Sequence, residues 1–480
     1  MKLHKEARVT KTLTIEPISR LEGHGKISIH LDDQGHVAST QFHVTQIRGF
    51  EKFTEGRPFC EMPGITSRIC GICPISHLLA AAKACDAIMA VRIPPAARKL
   101  RGLVHCAQIV QSHALSFFYL SAPDLLLGMD SDPATRNVMG VIAAHPQLAR
   151  DGIELRKFAL RAVERLAHER VHPIWIVPGG VAAPLETQAR DEILSELSSA
   201  KAIAERTLRL FKGLLDKYEK EISVFGSFPT MYAGMVDAKG NLQLYEGNLR
   251  FRSAGGGIVQ DQIPAEDYAE WIGEASLRES YLKAPYFKPQ GFPGGVYRVG
   301  PLGRLNAASG CGTPVADAEF REFHQRFGTA HSAFLYHYAR LIEIIYALER
   351  MDALLNDPLI QDKHVRASAG VNALEGVGMI EAPRGTLIHH YKVNEEGAIT
   401  WANLIVATGH NNLAIGRSVQ QVAEHYVDGA KLTEGMLNRV SAVVRAYDPC
   451  LSCSTHADGS LAMTIQLLDA QGRLLDEVAS

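Results

Sequence analysis

Two Cys-x-x-Cys pairs stand at opposite ends of the 480-residue chain, Cys70-Gly71-Ile72-Cys73 and Cys450-Leu451-Ser452-Cys453. If their four thiolates serve one site, the chain must close so that its two ends meet at one point. That condition narrows the fold more than any other feature. One pair alone fits a zinc site, a redox dithiol or chance. Two pairs in a reducing compartment argue for a single four-thiolate metal site. Bare spacing leaves a structural zinc knot open at this point.

The reducing compartment follows from cysteine usage. Eight cysteines in 480 residues are too sparse for a disulfide framework, and a chain of this size needs no staples. The N-terminus shows no apolar core of a secretory leader, so a cytoplasmic location is expected. The most apolar stretch, 77–91, is broken by Lys83 and Asp86 and is too short to span a bilayer. With 50 Lys+Arg against 52 Asp+Glu, the chain lacks the basic excess of a nucleic-acid binder. A large, near-neutral enzyme remains.

The pattern predicts a mainly α protein with an α+β periphery: a core of long helices and small sheets near the N-terminus and in the C-terminal third. Residues 1–45 alternate apolar and polar residues as strands do, with a turn at Asp32-Asp33-Gln34-Gly35. Ala/Leu-rich, proline-free stretches predict helices over 77–91 and 96–120, and helical periodicity returns at 150–168, 187–222 and 318–355. Leu341, Ile344, Ile345 and Leu348 lie on one helix face. The Gly/Pro-rich segment 225–312 predicts irregular loops with short strands. Residues 386–410 read as β structure, followed by two helices that lead to the second Cys pair. The last 24 residues, 457–480, alternate like a hairpin about Ala470-Gln471-Gly472-Arg473.

The flanks of the pairs carry more than a zinc knot needs. RICGICPISH places Arg68 before the first pair and His77 after it; DPCLSCSTH adds Asp448 and His456 to the second. Both resemble the two signature motifs of the large subunit of nickel–iron hydrogenases. Further matching segments occur in order between them: RLEGHG at 20–25, RGFEKFTEGR at 48–57, HPIWIVPGGV at 172–181, YRVGPLGRLN at 297–306, APRGTLIHH at 382–390 and NLIVATGHN at 403–411. The resemblance thus covers nearly the whole chain.

The resemblance implies a nickel–iron centre on Cys70, Cys73, Cys450 and Cys453, with Cys73 and Cys453 bridging the metals and Cys70 and Cys450 terminal on nickel. The iron would also carry carbon monoxide and two cyanides. Soft thiolates suit such metals, and a terminal thiolate, Cys450, would receive the proton when H2 is split. Glu22 would relay that proton. Arg384 and Thr408 would donate hydrogen bonds to the cyanides, and Asp448 would position Arg384. Glu51, the Leu404 carbonyl and His456 would bind Mg2+. In relatives that carry a DHxxHF-like segment an aspartate stands where this chain has Ser112, and a histidine where it has Ser116, which implies a thinner network around Arg384. His77 and His172 read as structural hydrogen-bonding residues, with His172-Pro173 also a candidate to face a partner's cluster. Cys60, Cys85, Cys106 and Cys311 match no motif and read as small core residues.

No iron–sulfur, dinucleotide-binding or phosphate-loop signature is present. Electrons must therefore leave through a partner, an iron–sulfur small subunit. The motifs look most like the cytoplasmic, bidirectional, NAD-coupled members, which implies a flavin (FMN) and iron–sulfur diaphorase module carrying the NAD site. Coupling to the deazaflavin F420 or to a heterodisulfide reductase is the alternative within the class. From other classes, a quinone-site subunit related to NADH:quinone oxidoreductase is opposed by the four intact cysteines, and a zinc-stabilised scaffold is separable by metal analysis. The resemblance also implies nickel-insertion proteins and an endopeptidase that removes 457–480, leaving a working domain of 1–456.

Overall fold

The computed structural model describes residues 11–429, 431–456, 464–468 and 474–479. Strands β1 (Lys11–Ile15), β2 (Gly25–Leu31) and β3 (Val37–Val44) pair antiparallel in the order β1-β2-β3. Asp32 makes the turn between β2 and β3, its carboxylate accepting from the Gln34 and His36 amides at 2.9 Å. Alternation turns Ile27, Ile29 and Leu31 into the core.

The centre is helical, as the long periodic stretches predict. It comprises α1 (Pro74–Met89), α2 (Pro95–Ala114), α3 (Pro146–Ala167), α4 (Thr187–Lys212), α5 (Pro314–Phe327) and α6 (Tyr336–Leu355). Helices α1, α2, α3 and α5 begin with proline, whose missing N–H has no intrahelical partner to lose in the first turn. Helices α2, α3, α4 and α6 form a ring in which α2 and α4 each touch α3 and α6. Leu341, Ile344, Ile345 and Leu348 are buried inside it.

Three predicted boundaries move. The helix expected over 318–355 is two, because the intervening chain bonds elsewhere: Ala330 N donates to Asn306 Oδ1 at 3.1 Å and Ala333 N to Phe225 O at 2.9 Å. The stretch 187–222 stops at Lys212, with a short helix resuming at Glu219–Val224. The helix expected to reach Leu120 loosens after Ala114 into π-helical turns over Leu115–Ser121 and Pro123–Leu127. Such turns are rare and concentrate at functional sites.

Segment 225–312 is more ordered than its composition implies. Strands β4 (Met231–Val236), β5 (Asn248–Arg252), β6 (Ile258–Ile263) and β9 (Tyr297–Arg298) form a sheet in the order β9-β4-β5-β6, and β7 (Ile272–Leu277) pairs with β8 (Ser280–Phe287). Glycine and proline crowd the connections, while Met231, Met235, Leu249, Phe251 and Ile263 build a second, smaller core. The C-terminal β region begins earlier than position 386: β10 (Glu375–Ala382), β11 (Gly385–Val393) and β12 (Ile399–Ile405) form an antiparallel meander. α1 lies directly on β10. A Cβ at Gly378 would stand 2.0 Å from Ala80 O, so only glycine permits that approach.

Two helices come next, α7 (Asn412–Tyr426) and α8 (Glu434–Tyr447). Beyond His456, β13 (Thr464–Leu468) pairs antiparallel with β14 (Leu474–Ala479), as the alternation predicts; the turn expected at 470–473 lies outside the described residues. Among the described residues no helix is long and apolar enough to cross a membrane.

Four core histidines make stability pH-dependent. Burial holds the rings of His105 and His113 at a pKa of about 4, and those of His337 and His410 at about 3. Below the ordinary value of 6.5, the unfolded chain binds protons that the folded chain refuses. Each ring therefore removes up to about 1.4 kcal/mol of stability per pH unit as pH falls from 6.5 toward its folded value. The urea midpoint should be lower at pH 5 than at pH 7; equal midpoints would contradict this assignment.

Candidate metal centre

The fold brings the two Cys pairs together. A helix ending at Ser67 leads into the first, and Cys73 precedes Pro74 at the start of α1. At the other end α8 stops at Asp448, whose φ of +52° turns the chain into Pro449 and Cys450, and one helical turn, Leu451–Ser454, carries Cys453. The Sγ atoms of Cys70 and Cys73 are 2.9 Å apart and those of Cys70 and Cys450 are 3.6 Å apart. All four sulfurs lie within 4.8 Å of one another and are buried. The amides of Ile72 and Cys73 donate to Cys70 Sγ at 3.3 and 3.1 Å.

These sulfurs cannot all ionise unaided. Hydrogen bonds from Cys450, Cys453 and Cys70 hold the Cys73 thiol well below the ordinary range. Burial, then the neighbouring sulfurs, push Cys450 and Cys453 well above it. Packed this closely and buried, the sulfurs oppose further negative charge until a cation joins them. A soft, polarisable metal fits this donor set.

Glu22 reaches the cluster from the N-terminal loop. Leu451 N donates to Glu22 O at 3.1 Å, and Glu22 pairs with Cys450 as an isolated parallel bridge. Glu22 Oε2 accepts from Cys450 Sγ at 3.1 Å and from Ser452 N at 3.2 Å, while the Ser452 hydroxyl donates to Oε1. Gly23 is required beside it: its φ is +85°, and a Cβ would come within 2.8 Å of Ser452 N.

Arg384 occupies the two-residue turn between β10 and β11, because Ala382 pairs with Gly385. Its guanidinium is buried. Nε donates to Asp448 O at 2.7 Å, Nη2 to Asp448 Oδ1 at 3.1 Å and Nη1 to Ser112 Oγ at 3.1 Å. Burial opposes the Arg384 charge, but Asp448 and the cysteine sulfurs outweigh it and raise its pKa. Burial also raises the Asp448 carboxyl, against the pull of Arg384 and Arg340. Ser112 therefore joins the network around Arg384 directly, and Ser116 lies beside Asp448. Thr408 Oγ1 accepts from Cys450 N at 2.9 Å.

Glu51 and His456 also meet, His456 Nδ1 lying 2.6 Å from Glu51 Oε1. Burial raises the Glu51 carboxyl, and the His456 contact more than reverses it. Leu404 lies on β12, the strand against which the Phe50–Thr54 helix carrying Glu51 packs. His77 Nδ1 stands 3.1 Å from His389 Nε2, and His389 Nδ1 is 2.5 Å from Tyr391 Oη; the His77 ring also interacts with Cys73 of the cluster. His172 has φ +55° and lies between exposed Val171 and Ile174. Cys85, Cys106 and Cys311 are buried; Cys60 is exposed, contrary to its reading as a core residue. It sits on a 3-10 turn that directs Phe59 inward instead.

Sequence reasoning missed Ser452, His389 and Tyr391. Period-two alternation along LIHHY, once β11 is placed, puts His389 and Tyr391 on one strand face. Ser452 carries no signal, since the two positions inside Cys-x-x-Cys are unconstrained by metal-ligand spacing.

Comparison with known proteins agrees with this geometry. A family described as nickel-dependent hydrogenase matches residues 48–138 and 259–456, and one described as HoxL-like matches 12–47. The chain belongs to the nickel–iron hydrogenase large-subunit family. It is 42% identical to the beta subunit of the NAD-reducing hydrogenase HoxS of Cupriavidus necator, covering 98% of this chain and 100% of that one. It is 41% identical to one subunit of the F420-non-reducing hydrogenase of Methanothermobacter thermautotrophicus, over 97% and 99% of the two chains. A crystal structure of an NAD+-reducing nickel–iron hydrogenase in the H2-reduced state superposes with a TM-score of 0.91 at 44% identity, covering 94% of this chain and 100% of that one.

The Arg384–Asp448 pair is testable as a buried ion pair. Arg384→Leu strands a buried carboxylate and should cost about 3–5 kcal/mol, read as a lower urea midpoint of the full chain. The double variant Arg384→Leu/Asp448→Leu should recover much of that loss. An additive double variant would show that the two side chains do not interact.

Proposed function

We propose that this chain is the catalytic subunit of a soluble, cytoplasmic hydrogenase that reversibly splits H2 and passes the electrons through a partner's iron–sulfur clusters to NAD+. The observation that carries the reading is the Glu22 carboxylate, hydrogen-bonded to one thiol of a buried four-cysteine cluster. A structural zinc knot has no use for a carboxylate there, nor for a buried arginine on the other side.

Cys70, Cys73, Cys450 and Cys453 would hold nickel and iron, the iron also carrying carbon monoxide and two cyanides. That group supplies heterolytic cleavage of H2 and takes up the two electrons. The chain's own residues do the rest. Cys450 Sγ is the base nearest Glu22, and Glu22 takes the proton from it across 3.1 Å, within general-base reach. Arg384 has five N–H donors and uses three on Asp448 and Ser112, so two remain for an anionic cyanide. Thr408 accepts from Cys450 N, which leaves its own hydroxyl proton to donate to the other cyanide.

Glu51 and His456, with the Leu404 carbonyl, form the proposed Mg2+ site; a hard cation takes oxygen ligands readily. His456 is anchored independently of residues 457–480, its amide donating to Tyr281 O at 3.1 Å. Cleavage by a maturation endopeptidase after nickel-insertion proteins have acted would therefore leave this end in place. The mature subunit should end at His456 or one residue later, and an intact mass of active enzyme corresponding to all 480 residues would exclude that.

The similarity to an NAD-reducing hydrogenase over nearly the full chain supports NAD+ as the acceptor, reached through a flavin and iron–sulfur diaphorase module on partner subunits. The F420-non-reducing relatives stand almost as near, and their name speaks against F420 as the acceptor; a heterodisulfide reductase is the second reading. The deciding experiment is H2-dependent NAD+ reduction by the purified complex, with nickel and iron near one-to-one and infrared bands of carbon monoxide and cyanide. Zinc alone would overturn the hydrogenase reading. Activity with a dye but never with NAD+ would overturn the acceptor. Glu22→Gln should keep its metals yet lose about 10²-fold or more of H2 turnover; undiminished turnover would remove Glu22 from the proton path.

A further inference from the structure

The loop that carries Glu22 lies between β1 and β2, closed where Ile18 N donates to Gly25 O at 3.1 Å. Its position depends on one buried carboxylate far along the chain, Asp124, in the second π-helical segment. Arg20, at φ +58°, donates from Nη2 to Asp124 Oδ1 at 2.6 Å and from Nη1 to Leu120 O at 2.7 Å. Arg445, on α8, donates from Nε to Asp124 Oδ2 at 3.0 Å and from Nη1 to Ser19 O at 3.1 Å. Asn438, also on α8, adds its amide to Asp124 Oδ1 at 3.1 Å and accepts from Arg445 Nη2 at 2.6 Å. Tyr218 Oη pins the π-helical backbone itself, donating to Leu125 O at 2.7 Å.

This arrangement joins the two halves of one contact. Arg20 is two residues before Glu22. Arg445 sits in the last turn of α8, the helix that delivers Asp448 and Cys450. Both are fastened to the same carboxylate, so the relay loop and the cysteine it serves share one anchor. The anchor is a costly one. Arg136 Nε also stands 3.5 Å from Asp124 Oδ1, so three guanidiniums surround a single anion that is 2% exposed. Burial depresses the pKa of Arg445 to about 10, despite Asp124 beside it. A hydrophobic filling would be no less stable by the usual measure of buried ion pairs, and departures of this kind from the most stable arrangement cluster at functional sites.

We propose that Asp124, acting through Arg20 and Arg445, is a positioning residue that sets the placement of the Glu22 carboxylate against Cys450. The proposal rests on the reading of Glu22 as the proton relay. Proton transfer requires hydrogen-bond reach, and a displacement of about 1 Å from the reacting geometry costs on the order of 10²-fold in rate.

The test uses the purified holoenzyme complex with Arg20→Gln and Arg20→Lys. Arg20 is the gentler probe, because its removal leaves Asp124 paired with Arg445 and Arg136, whereas Asp124→Asn removes the anion that Arg20 and Arg445 share. Three quantities are read: nickel and iron content, amide hydrogen exchange in the peptide holding Leu451 and Ser452, and H2 oxidation with its solvent isotope effect. Arg20→Gln should keep wild-type metal content. Its Leu451 and Ser452 amides, which donate to Glu22, should exchange about tenfold faster or more. Turnover per nickel should fall by about 10- to 10²-fold with a larger solvent isotope effect, and Arg20→Lys should recover part of each. Wild-type exchange and wild-type turnover per nickel in Arg20→Gln would overturn the proposal. So would a loss of activity that merely tracks a loss of nickel. If Glu22→Gln turns over normally, the relay reading fails instead, and amide exchange still decides whether the clamp holds the loop.

Discussion

Four sulfurs held within 4.8 Å of one another, out of contact with water, pose the electrostatic problem that the surrounding structure answers. Thiolates are the metal-binding form, yet burial and mutual repulsion favour thiols. The molecule's response is to place positive charge and hydrogen-bond donors around the cluster before any cation arrives. Arg384 faces the sulfurs from the β10–β11 turn, and Arg340 lies behind it. Backbone amides of Ile72 and Cys73 point at Cys70, and the turn after α8 aims Cys450 at the same point. Each donor lies on a rigid element or on a tight turn between two of them, which is what keeps a metal-ligand set in register.

Several arginines are buried along with the cluster, each held by carboxylates or backbone carbonyls. Arg101, Arg298, Arg304, Arg340 and Arg445 are among the largest fully buried side chains. Arg304 is neutralised twice, by Glu343 and by Glu381, and His113 also meets Glu343. That network ties α2, α6 and β10 together. α2 carries Ser112 next to His113, and β10 leads into Arg384, so the ion pairs that order the helical ring also fix the residues nearest the cluster. Loss of one partner leaves an uncompensated charge in the core, and the site and the fold therefore fail together.

How much of this is legible in the sequence depends on whether the signal is local. Strands β1 to β3 and helix α1 are legible because alternation and Ala/Leu runs act within one element. The Cys pairs are legible as a metal site from spacing and chemistry alone. Glu22, Arg384 and Thr408 are legible only through resemblance, since a carboxylate in a loop and an arginine in a turn have ordinary surface roles by default. The sheet within 225–312 is hidden because glycine and proline in its connections outweigh strands as short as Tyr297–Arg298. Ser452 and Asp124 give no signal at all: their contacts exist only after the loop beyond β1, the π-helical segment and α8 have been brought together from positions hundreds of residues apart.

That last distance matters for how the centre works. Glu22 and Cys450 are joined by a backbone bridge as well as by side chains, so the carboxylate and the thiol are held as one unit. A carboxylate held by its side chain alone would sample several rotamers and spend only part of its time in reach of the thiol. Here the Leu451 amide holds the Glu22 backbone and Ser452 holds both carboxylate oxygens, so the carboxylate has little freedom left to lose. Closing the chain end to end thus does more than assemble four ligands. It places the Glu22 carboxylate in the same strand-like pairing that holds Cys450, and it makes their relative geometry a property of the fold.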